Sequence, residues 1–526
     1  MQHRQHDKYA TLNPISRYLL LPIFFLVIAG CAQQPAILFP SSLPSTSAQD
    51  TYSPTEAVTQ CYAFYDDIAK HTQQVNYPAV FRVQGYPFLR SNRFLASFAE
   101  ELAGQQQARW QSWLVQLNQQ AINALLLEWQ QLPLALQQQL ADSHQPISRR
   151  KLQQELQGCG VLLVRALLQQ SELSTELLEL AQVPDHYSTL KRTLGLYPLV
   201  KPFFNAGVER EISHLQEQRR RFADAPLSAS VYDGRSIATA DKPQPLVVDQ
   251  LGIPLLSAEQ AQSWLAQWRP VWLVQESGDY DRPGQVYWQE QQLPAIDTDK
   301  PVQYEYVSFG RWQGQVTLQL NYSIWFSERP PAGRFDLLAG PLDSLIWRVH
   351  LDRQGRPLAF DSIHSCGCWY QLYPAKGFAS QAVRDGSESV LVDFGLQPEG
   401  GQAAQGQKVI ELQVRSEDHQ LMRAAVKSRY SVQNHAGPRR RLAVANFNEL
   451  YGLSLANKQG YRSLFDAQGL VSVSQRGERW LFWPMGIASP GAMRSPGTHA
   501  IAFVGRRHFD DANILQRVGL IEADDQ

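Results

Sequence analysis

At 526 residues the chain is too long for one ordinary domain, and two or three are expected. Hydrophobic content of 44% with 18% charged residues excludes wholesale disorder. The balance of 48 Lys+Arg against 49 Asp+Glu leaves a net charge of -1, which gives no general electrostatic drive toward nucleic acid or anionic lipid and argues against a polyanion-binding protein.

Residues 1–17 carry Arg4, Lys8 and Arg17 against Asp7, and the run Tyr18 to Gly30 is apolar and uncharged. This is the n-region and h-region pattern of a signal peptide. The run is shorter than the ~20 residues that a membrane-spanning helix needs, and Pro22 interrupts it. It ends in Ile28-Ala29-Gly30-Cys31, which resembles the lipobox of bacterial lipoproteins. The resemblance covers only these first residues. It implies cleavage after residue 30, lipidation (palmitate among the acyl chains) of Cys31 as residue one of the mature chain, and attachment to the cell envelope. Ala32, in place of an Asp, implies the outer membrane, facing the periplasm. Residues 31–55 then form a lipidated Cys and a Ser-, Pro- and Gln-rich tether, which holds the body about 25–30 Å from the membrane. Each buried CH₂ of the lipid contributes about 0.8 kcal/mol, so the expected membrane partner is reached through lipid.

Residues 56–224 read as an all-helical domain. Val58, Cys61, Tyr62, Tyr65 and Ile68 recur at helical spacing, as do Trp110, Leu114, Leu117, Ala121 and Leu125. Breaks are expected at Pro133, Pro146, Gly158–Gly160 and Pro184, and the final helix ends in Arg219-Arg220-Arg221, read as a solvated turn complementing the helix dipole.

Residues 225–526 read as a larger, mainly antiparallel β domain, single or in two subdomains, which makes the fold class α+β. One helix remains in it, opened by the capping-box pair Ser257 and Gln260 and closed by Pro270. In the stretch Val316 to Phe326, apolar residues alternate with Thr317, Gln319, Asn321, Ser323 and Trp325. With the preceding strand and Gln313-Gly314 between them this is a long hairpin, in which Trp325 is exposed unless something covers it. A second hairpin joins Leu345–Leu351 to Pro357–His364. Further strands are expected at Ser389–Phe394, Val409–Val414, Ala424–Val432, Leu442–Phe447 and Trp480–Pro484.

In an exported body, thiols meet an oxidising compartment. Cys61 and Cys159 are read first as a disulfide inside the helical half, and otherwise as two buried thiols. The densest cluster of reactive side chains is His364-Ser365-Cys366-Gly367-Cys368. If the strand continued through it, His364, Cys366 and Cys368 would share one face as a start for Zn or Cu ligation, or for thiol redox chemistry. A structural disulfide or buried thiols is the plainer alternative. Asp343, opposite His364 across the hairpin, and Asp361 are the carboxylates expected to support it, whereas His350 falls too far away.

Trp480 to Asp511 is a second polar concentration, containing Arg494, His499, Arg506, Arg507, His508, Asp510 and Asp511. It is read either as a functional loop or as a long surface connection. No nucleotide-binding, hydrolase or zinc-protease motif is present, so no catalytic residue or required cofactor is assigned. The expectation is a lipid-anchored binding or scaffolding protein with an envelope protein or a glycan (including peptidoglycan) as partner. A metal or thiol-redox protein is the alternative.

Overall fold

The computed structural model describes residues 54–523 apart from 76, 104–106, 145–147, 170–173, 225–228, 235–245, 382–390, 393–395, 397–407, 429–434 and 458. The signal segment, Cys31 and the tether lie outside the described residues, as does most of the expected strand Ser389–Phe394, of which Leu391–Val392 is seen. The fold is α+β, an N-terminal helical region followed by a larger, mainly antiparallel sheet region, as the sequence leads one to expect.

Helices Pro54–His71, Gln107–Gln131 and Arg149–Leu168 pack around a small hairpin, Phe81–Val83 with Tyr86–Ser91. Gly158–Gly160 does not break a helix. Both residues lie inside Arg149–Leu168, and a Cβ on Gly160 would meet the Asn118 side chain at 2.3 Å. The glycine serves a close helix crossing. Glu128 is wholly buried and receives both Arg90 Nη atoms at 2.7 Å, with Arg82 at 3.1 Å and the Tyr77 amide at 2.8 Å. Burial alone would raise its pKa, but Arg90 and Arg82 outweigh burial and lower it. Arg219 is no solvated cap: it donates to Gln371 Oε1 and the Leu421 carbonyl, tying the helix Tyr197–Asp224 to the sheets.

A seven-stranded sheet runs Leu391–Val392, Gln371–Pro374, Pro357–His364, Gly340–Leu351, Gln315–Arg329, Val302–Trp312 and Ala443–Asn446. Its outermost pairs are parallel and the rest antiparallel. A five-stranded sheet contains Leu421–Ser428, Lys408–Val414, Val271–Val274, Ser230–Asp233 and Arg439–Arg441. The two pack face to face. Leu320, Tyr322 and Trp347 of the larger sheet share a core with Tyr232, Trp272 and Leu412 of the smaller, every one essentially inaccessible. The helix Ala258–Trp268 inserts Trp264 and Leu265 at the edge of this core, and its Ser257–Gln260 capping box is present.

The other face of the larger sheet is polar by sequence yet buried. Thr317, Gln319, Asn321 and Ser323 are at most 3% exposed, and Trp325 is covered by the cluster containing Phe465. The cover includes the C-terminal segment, which is not a surface connection. The Arg311 amide donates to the Ala512 carbonyl at 2.6 Å, the Arg494 amide to Ser365 at 2.9 Å, and His499, His508 and Arg494 are buried. Trp480–Pro484 is not a strand: Arg479–Phe482 makes one helical turn that runs into a 3-10 turn at Trp483–Met485, where Pro484 has no amide to give a ladder.

Helical and sheet regions share one apolar cluster through Leu251, Ile253, Val316 and Ala512. Among the described residues no helix is long and apolar enough to cross a membrane.

Cys61 and Cys159 form a disulfide, with Cα atoms 5.0 Å apart and a sequence separation of 98. Replacing both by Ser should lower the unfolding free energy by roughly 4 kcal/mol through the freed loop. Denaturant unfolding of oxidised and variant protein measures this, and an unchanged midpoint would contradict it.

Candidate functional site

The strand Pro357–His364 stops at the cluster instead of running through it. The His364 amide donates to the Cys368 carbonyl at 3.1 Å and the Gly367 amide to the His364 carbonyl at 2.8 Å, closing a turn. Gly367 sits at φ +87°, where a Cβ would lie 2.3 Å from the Ala500 carbonyl oxygen. Only glycine fits there. Period-two spacing therefore ends at His364, and the premise that His364, Cys366 and Cys368 continue along one strand face fails. Among the described residues no group of three or more His, Cys, Asp and Glu is placed to hold a metal ion.

Cys366 and Cys368 are free, the first buried and the second half-buried. A hydrogen bond with Cys366, then burial, holds the Cys368 thiol well above its ordinary range. A reactive thiolate needs the opposite shift.

A register shift near Leu358 moves the hairpin one step from the simple reading. His350 faces Ala359 instead of Pro357 or Leu358, and His364 faces Leu345 instead of Asp343 or Ser344. The Asp343 carboxylate still approaches His364, with Oδ1 3.5 Å from Nδ1. Asp343 is wholly buried and also meets His419 Nδ1 at 2.9 Å and Arg476 Nη2 at 3.3 Å. Burial opposes its ionisation, but Arg476 and His364 overcome that and hold its pKa well below the carboxylate range.

His419 continues the chain of charges. Its ring stacks on Phe326 at 3.8 Å, and Nε2 lies 3.4 Å from Asp281, whose carboxylate accepts amides of Ser277, Gly278 and Glu417. Burial would lower the His419 pKa, yet Asp281 and Asp343 together raise it. This Asp281–His419–Asp343 bridge ties the Arg415–Gln420 loop to the larger sheet. It was not legible in sequence, because its members are separated by scores of residues and belong to no motif.

Asp361 does not support His364, since alternation puts it on the opposite face. There it accepts Arg348 Nε at 2.9 Å and the Tyr370 hydroxyl at 3.1 Å, and lies 3.1 Å from His350 Nε2. Burial is again outweighed, by Arg348 and His350, and the pKa falls to about 2. Arg348 also donates to the Phe509 carbonyl at 2.6 Å and lies 3.6 Å above the Phe509 ring. Both carboxylates thus anchor closed ion-pair networks, where removing one partner would strand a buried charge.

Nearby His499 is 1% exposed, with neither ring nitrogen in a well-formed hydrogen bond. Burial, opposed by Asp510 and assisted by Arg494 and Arg348, pushes its pKa from 6.5 down to about 4. Glu478, also buried, has its pKa raised by that burial.

Comparison with protein-family models, curated proteins and solved structures found no match to this chain.

The unfolded chain takes up a proton at His499 below pH 6.5, whereas the folded chain refuses it until about 4. Stability should therefore fall as pH drops from 6.5 toward 4, by up to about 3 kcal/mol from this residue. His499→Phe should flatten that part of a stability-against-pH curve measured by thermal unfolding. An identical slope in the variant would exclude His499 as the source.

Proposed function

We propose that the chain is a lipid-anchored envelope protein, carrying its lipid on Cys31 and holding its body on the periplasmic side of the outer membrane. The body is a binding or scaffolding module for an envelope protein or glycan, and not an enzyme. The observation that carries this reading is the uncharged apolar run ending in Ile28-Ala29-Gly30-Cys31, followed by a tether rich in Ser, Pro and Gln. The Cys61–Cys159 disulfide suits an oxidising compartment. In the body, Asp343, Asp361, Arg348 and His419 are buried in mutual ion pairs, an arrangement suited to holding a scaffold and not to meeting substrate.

Cys31→Ser should move the protein from the membrane fraction to the soluble envelope fraction and remove acyl chains from the N-terminal peptide, read by fractionation and mass spectrometry. Retention of the variant in membranes, or a wild-type peptide without lipid, would count against the anchor.

A second reading rests on the adjacent Cys366 and Cys368 thiols, which are free while the other pair is bonded. As a redox pair they would give up two protons and two electrons to an incoming disulfide. The measurement is alkylation of the native protein: the Cys368 thiol, held in the protonated form, should react at least about tenfold more slowly than free cysteine at neutral pH. Fast alkylation of Cys368 would favour the redox reading.

A further inference from the structure

Of the seventeen large apolar side chains that the described surface exposes, ten fall on three adjoining segments, 190–203, 335–337 and 480–483. The other seven lie elsewhere in the chain, so this concentration is what requires a cause. Phe335 is 86% exposed, Phe203 76% and Trp480 73%.

The segments touch. The Ser188 amide donates to the Gly486 carbonyl at 2.9 Å, Phe204 meets the Phe482 ring at 5.5 Å, and the Glu478 amide donates to the Leu337 carbonyl at 3.0 Å. Beneath them Tyr187, Tyr197, Met485 and Ile487 form a buried cluster, so the patch is mounted on packed structure.

Its charge is one-sided. Residues 186–208 contain no Asp or Glu, and Lys191, Arg192 and Lys201 within the segments, with Arg334 and Arg479 immediately beside them, stand against Asp336, since Glu478 is buried. Arg479 lies 5.0 Å from the Trp480 ring, Arg334 5.8 Å from that of Phe335, and Arg192 3.8 Å from that of Tyr197. Apolar tips interleaved with Arg and Lys match a layer whose surface is anionic and whose interior is hydrocarbon. A second copy of the same face would set like charges against one another.

We propose that this patch docks the body onto an anionic phospholipid surface. The inference rests on the lipid-anchor reading for which membrane is near, but the patch binds without the lipid. A tether of 23 residues spans up to about 80 Å when extended, so Cys31 leaves every face free to turn toward the bilayer, and the patch selects one. The body then lies down on the leaflet, and does not stand off at the tether's mean length.

The test uses a chain beginning at residue 32, which lacks the lipid but keeps every described contact, all of them within residues 54–523. It is sedimented with vesicles of phosphatidylethanolamine containing about one third phosphatidylglycerol, and with vesicles of phosphatidylcholine alone. Binding to the anionic vesicles that weakens with salt is expected, with each near-surface cation worth about fivefold. Phe203→Ser/Trp480→Ser should weaken it at least about tenfold, with the melting curve unchanged because both side chains are exposed. Lys191→Glu/Arg334→Glu should reduce the salt dependence. Equal binding by wild type and the Phe203/Trp480 variant, absence of vesicle binding, or a dimer in solution that this variant dissociates would each overturn the proposal. Failure of the anchor is read separately, from the Cys31→Ser fractionation. Vesicle binding by the lipid-free chain upholds the patch even if Cys31 carries no lipid.

Discussion

The larger sheet is buried on both faces, although one face is built from polar residues. That constraint organises the molecule. A polar group taken out of water without a partner costs about 1–3 kcal/mol, and a charge costs more. Thr317, Gln319, Asn321, Ser323, Arg348, His350 and Asp361 therefore have to be answered from inside the chain. Arg348 and Asp361 answer each other across the hairpin, and Phe509 supplies both a carbonyl and a ring face to Arg348. On the opposite face, Asp343 and Asp281 hold His419 between them. Such networks contribute modestly to stability when complete, and removing any one member is severe.

Local patterns were legible wherever the chain's own period fixes the answer. The long hairpin, the capping box at Ser257 and the apolar stripes of the helices follow from alternation, cap chemistry and helical spacing. What failed depended on partners distant in sequence. Alternation correctly put Thr317 to Ser323 on one face, but it could not reveal that residues 499–515 would cover that face. Gly160 looked like a break because its role, admitting the Asn118 side chain, exists only after two helices cross. His364 and the two thiols seemed to share a strand face, while the turn at Gly367 depends on the Ala500 backbone lying against it.

Of the two carboxylates expected beside His364, one lies there. Asp343 does approach His364, yet Asp361 points the other way and Cys368 keeps its proton. The charged groups of the interior are mostly turned toward one another. Most of the large apolar side chains that the described surface exposes are concentrated in one place, where Phe203, Phe335 and Trp480 project among Lys and Arg side chains.

The C-terminal cover has a consequence for the order of assembly. Residues 499–515 follow their partners Arg311, Arg348 and Gly367 by more than a hundred positions in the chain. Until they arrive, the polar face of the sheet stays open to water and Arg348 lacks the Phe509 carbonyl and ring. Contacts of such sequence separation form late and fold slowly. The polar face of the sheet is accordingly sealed by a segment distant in sequence, and the body closes only when that segment docks.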